Sequence, residues 1–184
     1  MAVVFLFQRV FRGSRTLTLS AVAVASSVAL AVLWRTYLMD RHTVRLITQL
    51  APDYDQRMAR RKRRLFDGLH QIKAELGGER IVILEIGSGS GANFQYYPDG
   101  AQIICIERNR LFEQPLRASI SQLPAVEISQ FHIASAEDMR VVASNSVDAV
   151  VSTKVLCCVT DVDKCLHEIL RVLKPVSFSR FSLA

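Results

Sequence analysis

The pattern of apolar and polar residues begins with a long segment that carries no charge. Residues 16–34 are uncharged and mostly apolar, and an arginine flanks them on each side. As a helix this segment would be about 28 Å long, close to the ~30 Å hydrocarbon core of a bilayer. We therefore predict a membrane anchor in residues 1–39, which either spans the bilayer or lies in one leaflet. A cleaved signal peptide and a buried soluble helix are the alternatives.

Residues 40–80 form a basic segment with a helical pattern. We expect a break near Ala51-Pro52, because the residue before a proline disfavours the α conformation, and an end at Gly77-Gly78. The run RMARRKRRLF, residues 57–66, places arginines and apolar residues on one helix. This pattern indicates contact with anionic lipid headgroups rather than with nucleic acid, although an ordinary solvated helix face is an equal alternative.

After residue 80 the pattern changes to short apolar runs separated by polar segments. Continuous apolar runs predict buried strands at residues 81–86, 101–107, 126–135 and 147–153. Residues 162–174 instead have apolar side chains at helical spacing and predict an amphipathic helix. Strands that alternate with helices predict a parallel α/β sheet with helices on both faces. In such a sheet a ligand binds beyond the carboxyl ends of the strands.

Charge and cysteine content bear on the membrane topology, the compartment and the presence of a metal site. The net charge is +6, and the excess of basic residues lies before residue 81. Charges around the anchor slightly favour a cytoplasmic N-terminus, which for a spanning helix would place the following domain across the membrane. The four cysteines, Cys105, Cys157, Cys158 and Cys165, have no C-x-x-C or zinc-site spacing, so we expect no metal site. Their apolar surroundings predict buried, reduced thiols in a reducing compartment, which argues against that topology.

A glycine-rich turn follows the first predicted strand. Residues 83–94 read ILEIGSGSGANF, which gives the spacing E-x-G-x-G-x-G rather than the G-x-G-x-x-G of dinucleotide sites. The acidic residue before the glycines suits the cationic amino-acid arm of S-adenosylmethionine and would be unfavourable beside a pyrophosphate. The pattern therefore favours S-adenosylmethionine as the cofactor over a nicotinamide dinucleotide.

Polar residues at the ends of the next two strands complete a nucleotide pattern. Glu107 ends the second strand, at the distance from the glycines where an acid accepts hydrogen bonds from both ribose hydroxyls. The third strand ends in SAED, residues 135–138, where side chains and backbone can meet an adenine edge. Together these positions predict a complete cofactor site at one edge of the sheet.

Several motifs resemble those of the methyltransferase-like 7 family of class I methyltransferases. They are LEIGSGSGANFQYYP, ICIERNRLFE, ASAEDM, SVDAVVSTKVLCCV, LHEILRVLKP and the basic run YDQRMARRKRRLFDGL. The resemblance covers residues 54–175 and implies a Rossmann-like fold and membrane-associated transfer of methyl groups to small alkyl thiols. It also implies a domain that faces the cytosol from the endoplasmic reticulum or from lipid droplets, which favours interfacial anchoring.

The resemblance assigns cofactor contacts residue by residue. Those around the methionine arm would be Glu85, Gly87, Ser88, Gly89 and Gly91. Glu107 would bind the ribose, and the residues beside adenine would be Ser135, Ala136 and Glu137. Thr153 would lie beside the transferred methyl group, whereas the following Lys154 stands where an apolar residue is expected. No catalytic base is identified; Asp138, His132 and His167 qualify by residue type only.

The chain departs from the family pattern after residue 175. The family continues K-P-G-G into further strands, whereas this sequence reads LKPVSFSRFSLA. We therefore divide it into a methyltransferase domain at residues 81–175 and a divergent tail at 176–184. The prediction is a C-terminally truncated form with little turnover, whose fourth strand becomes a sheet edge. A non-catalytic, membrane-tethered protein that binds cofactor or a partner is the alternative function.

Overall fold

The computed structural model describes residues 15–175, with side chains from residue 25 onward. Helix α1 runs from Arg15 to Glu75 without interruption and contains Pro52. The predicted break at Ala51-Pro52 is therefore wrong. Pro52 and the preceding turn at Thr48 are exposed, so the carbonyl that loses its helical partner can be hydrated. Among the described residues, no helix has an apolar stretch of the length that crossing a bilayer requires.

Helix α1 ends at two glycines. Gly77 and Gly78 have positive φ angles of 71° and 80°, and the Gly78 N–H donates to the Lys73 carbonyl oxygen at 3.1 Å. This glycine termination of the helix was predicted. Residues 1–14 of the predicted anchor and the tail 176–184 lie outside the described residues. The chain divides into two compact units, one up to Thr43 and the other from Val44.

The second unit contains a four-stranded parallel sheet. The strands are β1, Val82–Ile86; β2, Ala101–Glu107; β3, Val126–Ile133; and β4, Ala149–Ser152. Their order is β3-β2-β1-β4, so β4 is an edge strand within the described sheet. All four predicted strands are confirmed, although β4 is shorter than predicted. Val147, outside β4, forms an isolated parallel bridge with Leu173.

Helices cover both faces of the sheet, as predicted. Helix α2, Glu113–Ile120, precedes β3, and helix α3, Val162–Val172, follows β4. One buried cluster joins Ile83 and Ile103 to Phe66 of α1, while the other joins Leu84 to Ile169 of α3. Neighbouring residues of a strand point to opposite faces, which explains why the uninterrupted apolar runs supply both clusters. The apolar side of the basic segment of α1 therefore packs on the sheet.

The cysteines divide into two classes. Cys105 and Cys165 are buried, as predicted, on β2 and α3 respectively. Cys157 and Cys158 are exposed, so the prediction of buried thiols is wrong for this pair. They lie in a turn after β4, outside the sheet whose two faces bury the apolar run before them.

Candidate functional site

The glycine turn between β1 and the short 3-10 helix Phe94–Tyr96 has a backbone that only glycine tolerates well. Gly87 has a φ of 65°, and a Cβ atom there would lie 2.4 Å from Cγ2 of Val155. Gly89 also has a positive φ, 51°, but a Cβ atom there would meet only a backbone oxygen at 3.9 Å. The first glycine therefore allows close packing against the loop after β4, and the second borders open space.

The carboxylate of Glu85 lies buried below this turn. The side-chain amide of Asn93 donates from Nδ2 to its Oε1 at 2.7 Å, and the Tyr97 hydroxyl donates to its Oε2 at 2.6 Å. Burial raises the pKa of Glu85 to about 7, although both hydrogen bonds and the positive charge of Lys62 oppose the rise. The group therefore changes charge near neutral pH.

A lysine of α1 connects this carboxylate network to the helix. Lys62 is 9% exposed and donates to Oδ1 of Asn93 at 2.8 Å and to the carboxylate of Asp55. The Nδ2 atom of Asn93 also lies 3.0 Å from the hydroxyl oxygen of Thr153. One amide thus links α1, the end of β1 and the loop after β4, and these links fix the relative positions of three elements.

A cavity of about 370 Å³ opens above the network. Five of the predicted cofactor contacts line it: Glu85, Gly87, Ser88, Gly89 and Thr153. Residues of α1 form its other side, among them Leu46, Leu50 and Tyr54, and Lys154, at the beginning of the loop after β4, also lines the cavity. The structure therefore brings four of the five predicted methionine-arm positions together with the predicted methyl-group position.

The remaining predicted contacts lie outside this cavity. Glu107 is adjacent, because its Oε2 accepts the Gly89 N–H at 3.0 Å while its Oε1 accepts the Asn109 N–H at 3.0 Å. Gly91 borders a second cavity of about 590 Å³, between α1 and α2. A Cβ atom at Gly91 would lie 2.8 Å from the Phe94 ring, so packing against this ring favours glycine at the position.

The predicted adenine contacts occupy the turn after β3. Ala136 is buried, and the Ser135 hydroxyl donates to Oε2 of Glu137 at 3.1 Å. The other oxygen of Glu137 accepts backbone N–H groups of Thr160 and Asp161, and these bonds, with that of Asp161 the strongest, lower its pKa. Glu137 therefore holds the start of α3 in place, a structural role that does not conflict with the adenine prediction.

The three candidate bases are not in the cavity. Asp138 pairs with Arg140, with an N–O distance of 2.7 Å. The Nε2 atom of His132 lies 2.8 Å from Oε1 of Gln130, and Nδ1 of His167 lies 2.7 Å from the carbonyl oxygen of Asp163. Each has a local partner, and none lines the cavity described above.

Sequence reasoning missed four residues of the network: Asp55, Lys62, Asn93 and Tyr97. Asn93 and Tyr97 fall within the motif that carried the resemblance, and their place just after the glycines was the available signal. Lys62 stands among five arginines of a basic run, so nothing in the sequence distinguishes the one buried cation from its exposed neighbours.

The residues of the cavity fit S-adenosylmethionine. An acid lies at its base, a cation from α1 lies beside the acid, and the open space at Gly89 admits a ligand close to the backbone. The ammonium and carboxylate of a methionine arm need groups of these two charges. A pyrophosphate would instead face Glu85.

Comparison with known proteins agrees with this geometry. Residues 84–179 match the family model described as "Methyltransferase domain". The chain belongs to this family. The chain is also 39% identical to the human thiol S-methyltransferase TMT1A over 142 residues. This alignment covers 77% of this chain and 54% of that protein. Human thiol S-methyltransferase TMT1B is 40% identical over 131 residues, which covers 71% of this chain and 52% of that protein.

The chain spans about half the length of these curated relatives. Among solved structures, a putative S-adenosyl-L-methionine-dependent methyltransferase from Methanococcus maripaludis is similar, with a TM-score of 0.47 and 18% identity. That match covers 69% of this chain and 59% of the other chain. The family match confirms the predicted Rossmann-like methyltransferase fold class and S-adenosylmethionine as the cofactor.

Proposed function

We propose that this protein transfers a methyl group from S-adenosylmethionine to a small thiol. The observation that carries the proposal is the cavity in which the buried acid Glu85, the glycine turn and Thr153 meet. The thiol acceptor is proposed from the names of the two human relatives, which are thiol S-methyltransferases.

The side chains of the cavity mainly bind and orient. When bound, S-adenosylmethionine supplies a methyl group that its sulfonium already activates, so the protein has to align a nucleophile with it. Glu85 would receive the ammonium of the methionine arm, and Lys62 would receive its carboxylate. Glu107 would bind the ribose, since each carboxylate oxygen can accept another hydrogen bond besides its backbone N–H.

A titration followed by a transfer assay tests the proposal. The full chain in detergent micelles is titrated with S-adenosylmethionine, S-adenosylhomocysteine and NAD, and heat is measured. We expect binding of the first two and not of NAD, and we expect Glu85→Ala to abolish it while the exposed Glu79→Ala leaves it unchanged. Transfer of radiolabelled methyl to an alkyl thiol is then measured. Binding of NAD alone would contradict the proposal.

A non-catalytic binding protein is a second candidate, and one feature of the sheet favours it. β4 is an edge strand within the described sheet, and of the residues after it only Thr153 and Lys154 line the cavity. Of the described residues after β4, few therefore surround the position where an acceptor would lie. Tight cofactor binding without methyl transfer to any thiol tested would support this function over the enzymatic one.

We also propose that α1 attaches the protein to the cytosolic surface of the endoplasmic reticulum or of lipid droplets. Within the first unit, Leu33, Trp34 and Met39 are each at least 60% exposed. In the second unit, Arg60 and Arg61 are exposed and can approach anionic headgroups. Flotation of the full chain with neutral and anionic vesicles tests this. We expect Trp34→Ser to weaken both associations and Arg60→Glu with Arg61→Glu to weaken only the anionic one; an unbound full chain would contradict the proposal.

A further inference from the structure

Lys154 has an unusual backbone conformation in the loop after β4. Its φ is 59°, in the left-handed region that residues with a Cβ seldom occupy. Such a conformation is unfavourable and persists only where surrounding structure imposes it. It places Lys154 in the wall of the cavity, one residue after Thr153 and opposite α1. Conformations of this kind occur often at functional sites.

The ammonium of Lys154 contacts a ring rather than a carboxylate. Its Nζ lies 3.6 Å from the centroid of the Tyr54 ring. Within residues 15–175, none of the ion pairs includes Lys154. Lys62, the other lysine of the cavity, uses two of its three donors on Asp55 and Asn93, and the third would serve the methionine carboxylate. Lys154 is therefore the lysine of the cavity whose charge is available to an incoming anion.

We propose that Lys154 holds the sulfur of the acceptor as a thiolate beside the methyl donor. This rests on the proposed function and adds to it a residue that acts on the acceptor. The thiolate is the nucleophilic form of a thiol, and an opposite charge within about 4–6 Å lowers a pKa by about 1–3 units. An alkyl thiol is no stronger an acid than free cysteine, whose pKa is about 8.5, so it is mostly protonated at neutral pH and gains most from such a charge.

The reaction balances without any further reagent. The thiol releases its proton to solvent as its sulfur approaches the ammonium, and Lys154 keeps its own protons throughout. The thiolate lone pair forms the bond to the methyl carbon. The bond between that carbon and the sulfonium sulfur breaks, and its electron pair stays on the donor sulfur, which becomes a neutral thioether. A negative and a positive charge therefore disappear together.

The rest of the cavity indicates the body of the acceptor. Leu46, Ile47 and Leu50 of α1 line the cavity, and all three are more than 40% exposed. An apolar group that covers them gains free energy in proportion to the apolar area removed from water. The Tyr54 ring meanwhile gives the ammonium a favourable contact when no anion is present. The cavity therefore suits an alkyl thiol of ordinary acidity with an apolar body.

Three variants and two measurements test the inference. Lys154→Met removes the charge, Lys154→Arg keeps it, and Lys164→Met is the matched control, because Lys164 pairs with Asp161 on the surface of α3. The first measurement loads the full chain with S-adenosylhomocysteine, so that no transfer occurs, and follows the ultraviolet absorbance of thiolate on addition of an alkyl thiol at pH 7. We expect a thiolate signal in the wild type, Lys154→Arg and Lys164→Met, and its loss in Lys154→Met.

The second measurement is the pH profile of kcat at saturating thiol, for thiols of different acidity, because kcat reports the pKa of the bound thiol. For an alkyl thiol, Lys154→Met should lower kcat about tenfold at pH 7 and move the acid limb upward by about one pH unit. An aryl thiol that is already ionised at pH 7 should change little. Equal losses for both thiols would overturn the inference, because they would indicate a general packing role.

The two proposals fail in different ways. A wild-type chain that binds S-adenosylhomocysteine but gives no thiolate signal would overturn the role of Lys154. The same result would follow if Lys154→Met retained the signal. A chain that shows the signal and its loss in Lys154→Met, yet transfers no methyl group, would instead contradict the proposed enzymatic function alone. Affinity for S-adenosylhomocysteine in each variant identifies any loss that comes from misfolding.

Discussion

Asn93 donates one hydrogen bond to Glu85, 2.7 Å from Nδ2 to Oε1, and its other amide atom accepts one from Lys62 at 2.8 Å. A single buried amide therefore lies between an acid and a base that do not pair directly. The Nδ2 atom is also within 3.0 Å of the Thr153 hydroxyl oxygen. This amide can make these contacts because a side-chain amide both donates and accepts.

We predict that Asn93→Ala destabilises the protein and weakens cofactor binding. The change leaves Glu85 and Lys62 each without one buried partner, which costs about 1–3 kcal/mol for each unsatisfied group. Chemical unfolding in detergent measures the stability, and calorimetric titration with S-adenosylhomocysteine measures the affinity. Gln95→Ala is the control, because exposed Gln95 bonds only to the carbonyl of Ala92. A loss in Asn93→Ala no larger than in the control would show that the amide does not organise the site.

The second prediction concerns the pH dependence that Glu85 introduces. Its pKa is raised from 4.5 to about 7 in the folded protein, mainly by burial. Between pH 4.5 and 7 the native state keeps a proton on this group that the unfolded state has lost, so its contribution to stability falls as pH rises through that window. The shift corresponds to about 3 kcal/mol.

Glu85→Gln isolates this contribution. The amide does not ionise, so the stability of the variant relative to the wild type should increase by up to about 3 kcal/mol from pH 5 to pH 8. Thermal unfolding of both proteins across this range measures it. Glu79→Gln, at an exposed carboxyl, is the control. Parallel curves for Glu85→Gln and wild type would mean that Glu85 ionises normally.

The third prediction separates two roles of glycine in the turn. Gly87→Ala and Gly89→Ala share the strain of a positive φ, about 1–2 kcal/mol, but only the first places a Cβ atom against Val155. Gly87→Ala should therefore lose at least about 1 kcal/mol more stability than Gly89→Ala. Thermal unfolding compares them, and adding Val155→Ala to Gly87→Ala should recover part of the difference. Equal losses would indicate that the loop after β4 moves aside.

The sheet was predictable because the residues of each strand are enough to indicate that strand. Each strand is a short, nearly continuous apolar run, and a parallel strand covered on both faces requires this composition. The limits of β4 were less predictable. Val147 and Thr153 belong to the same run, but partners outside it determine which of its residues pair: Val147 bridges to Leu173, and Thr153 bonds to Asn93.

The site was predictable where the glycine turn itself defines it. Glu85, Gly87 and Gly89 are consecutive alternate residues, so the motif alone places them together. Contacts with α1 were not predictable, because they depend on how that helix packs on the sheet, and no local sequence pattern indicates this packing. The uninterrupted path of α1 through Pro52 is a further example, since the proline rule is a statistical preference that an exposed position can override.

The last prediction concerns Arg171, which supports the turn that carries the predicted adenine contacts. Its guanidinium donates to the carbonyl oxygens of Met139 at 2.8 Å and Val142 at 2.9 Å, and pairs with Glu168 at 2.7 Å. Glu168 in turn accepts the Met139 N–H at 2.6 Å. These bonds attach the segment after Ser135 to α3. They require the planar set of guanidinium donors, which lysine does not have.

We predict that Arg171→Met lowers the free energy of unfolding by about 1–3 kcal/mol, because the Val142 carbonyl loses its donor and Glu168 loses its ion-pair partner. Arg171→Lys should recover only part of the loss, since one ammonium cannot reproduce the guanidinium geometry. Urea unfolding measures both, with Arg140→Met as control because the Arg140 side chain is 84% exposed. If residues 135–137 hold adenine, affinity for adenosine should fall in Arg171→Met and not in Arg140→Met. Unchanged adenosine affinity in a destabilised Arg171→Met would place the adenine site elsewhere.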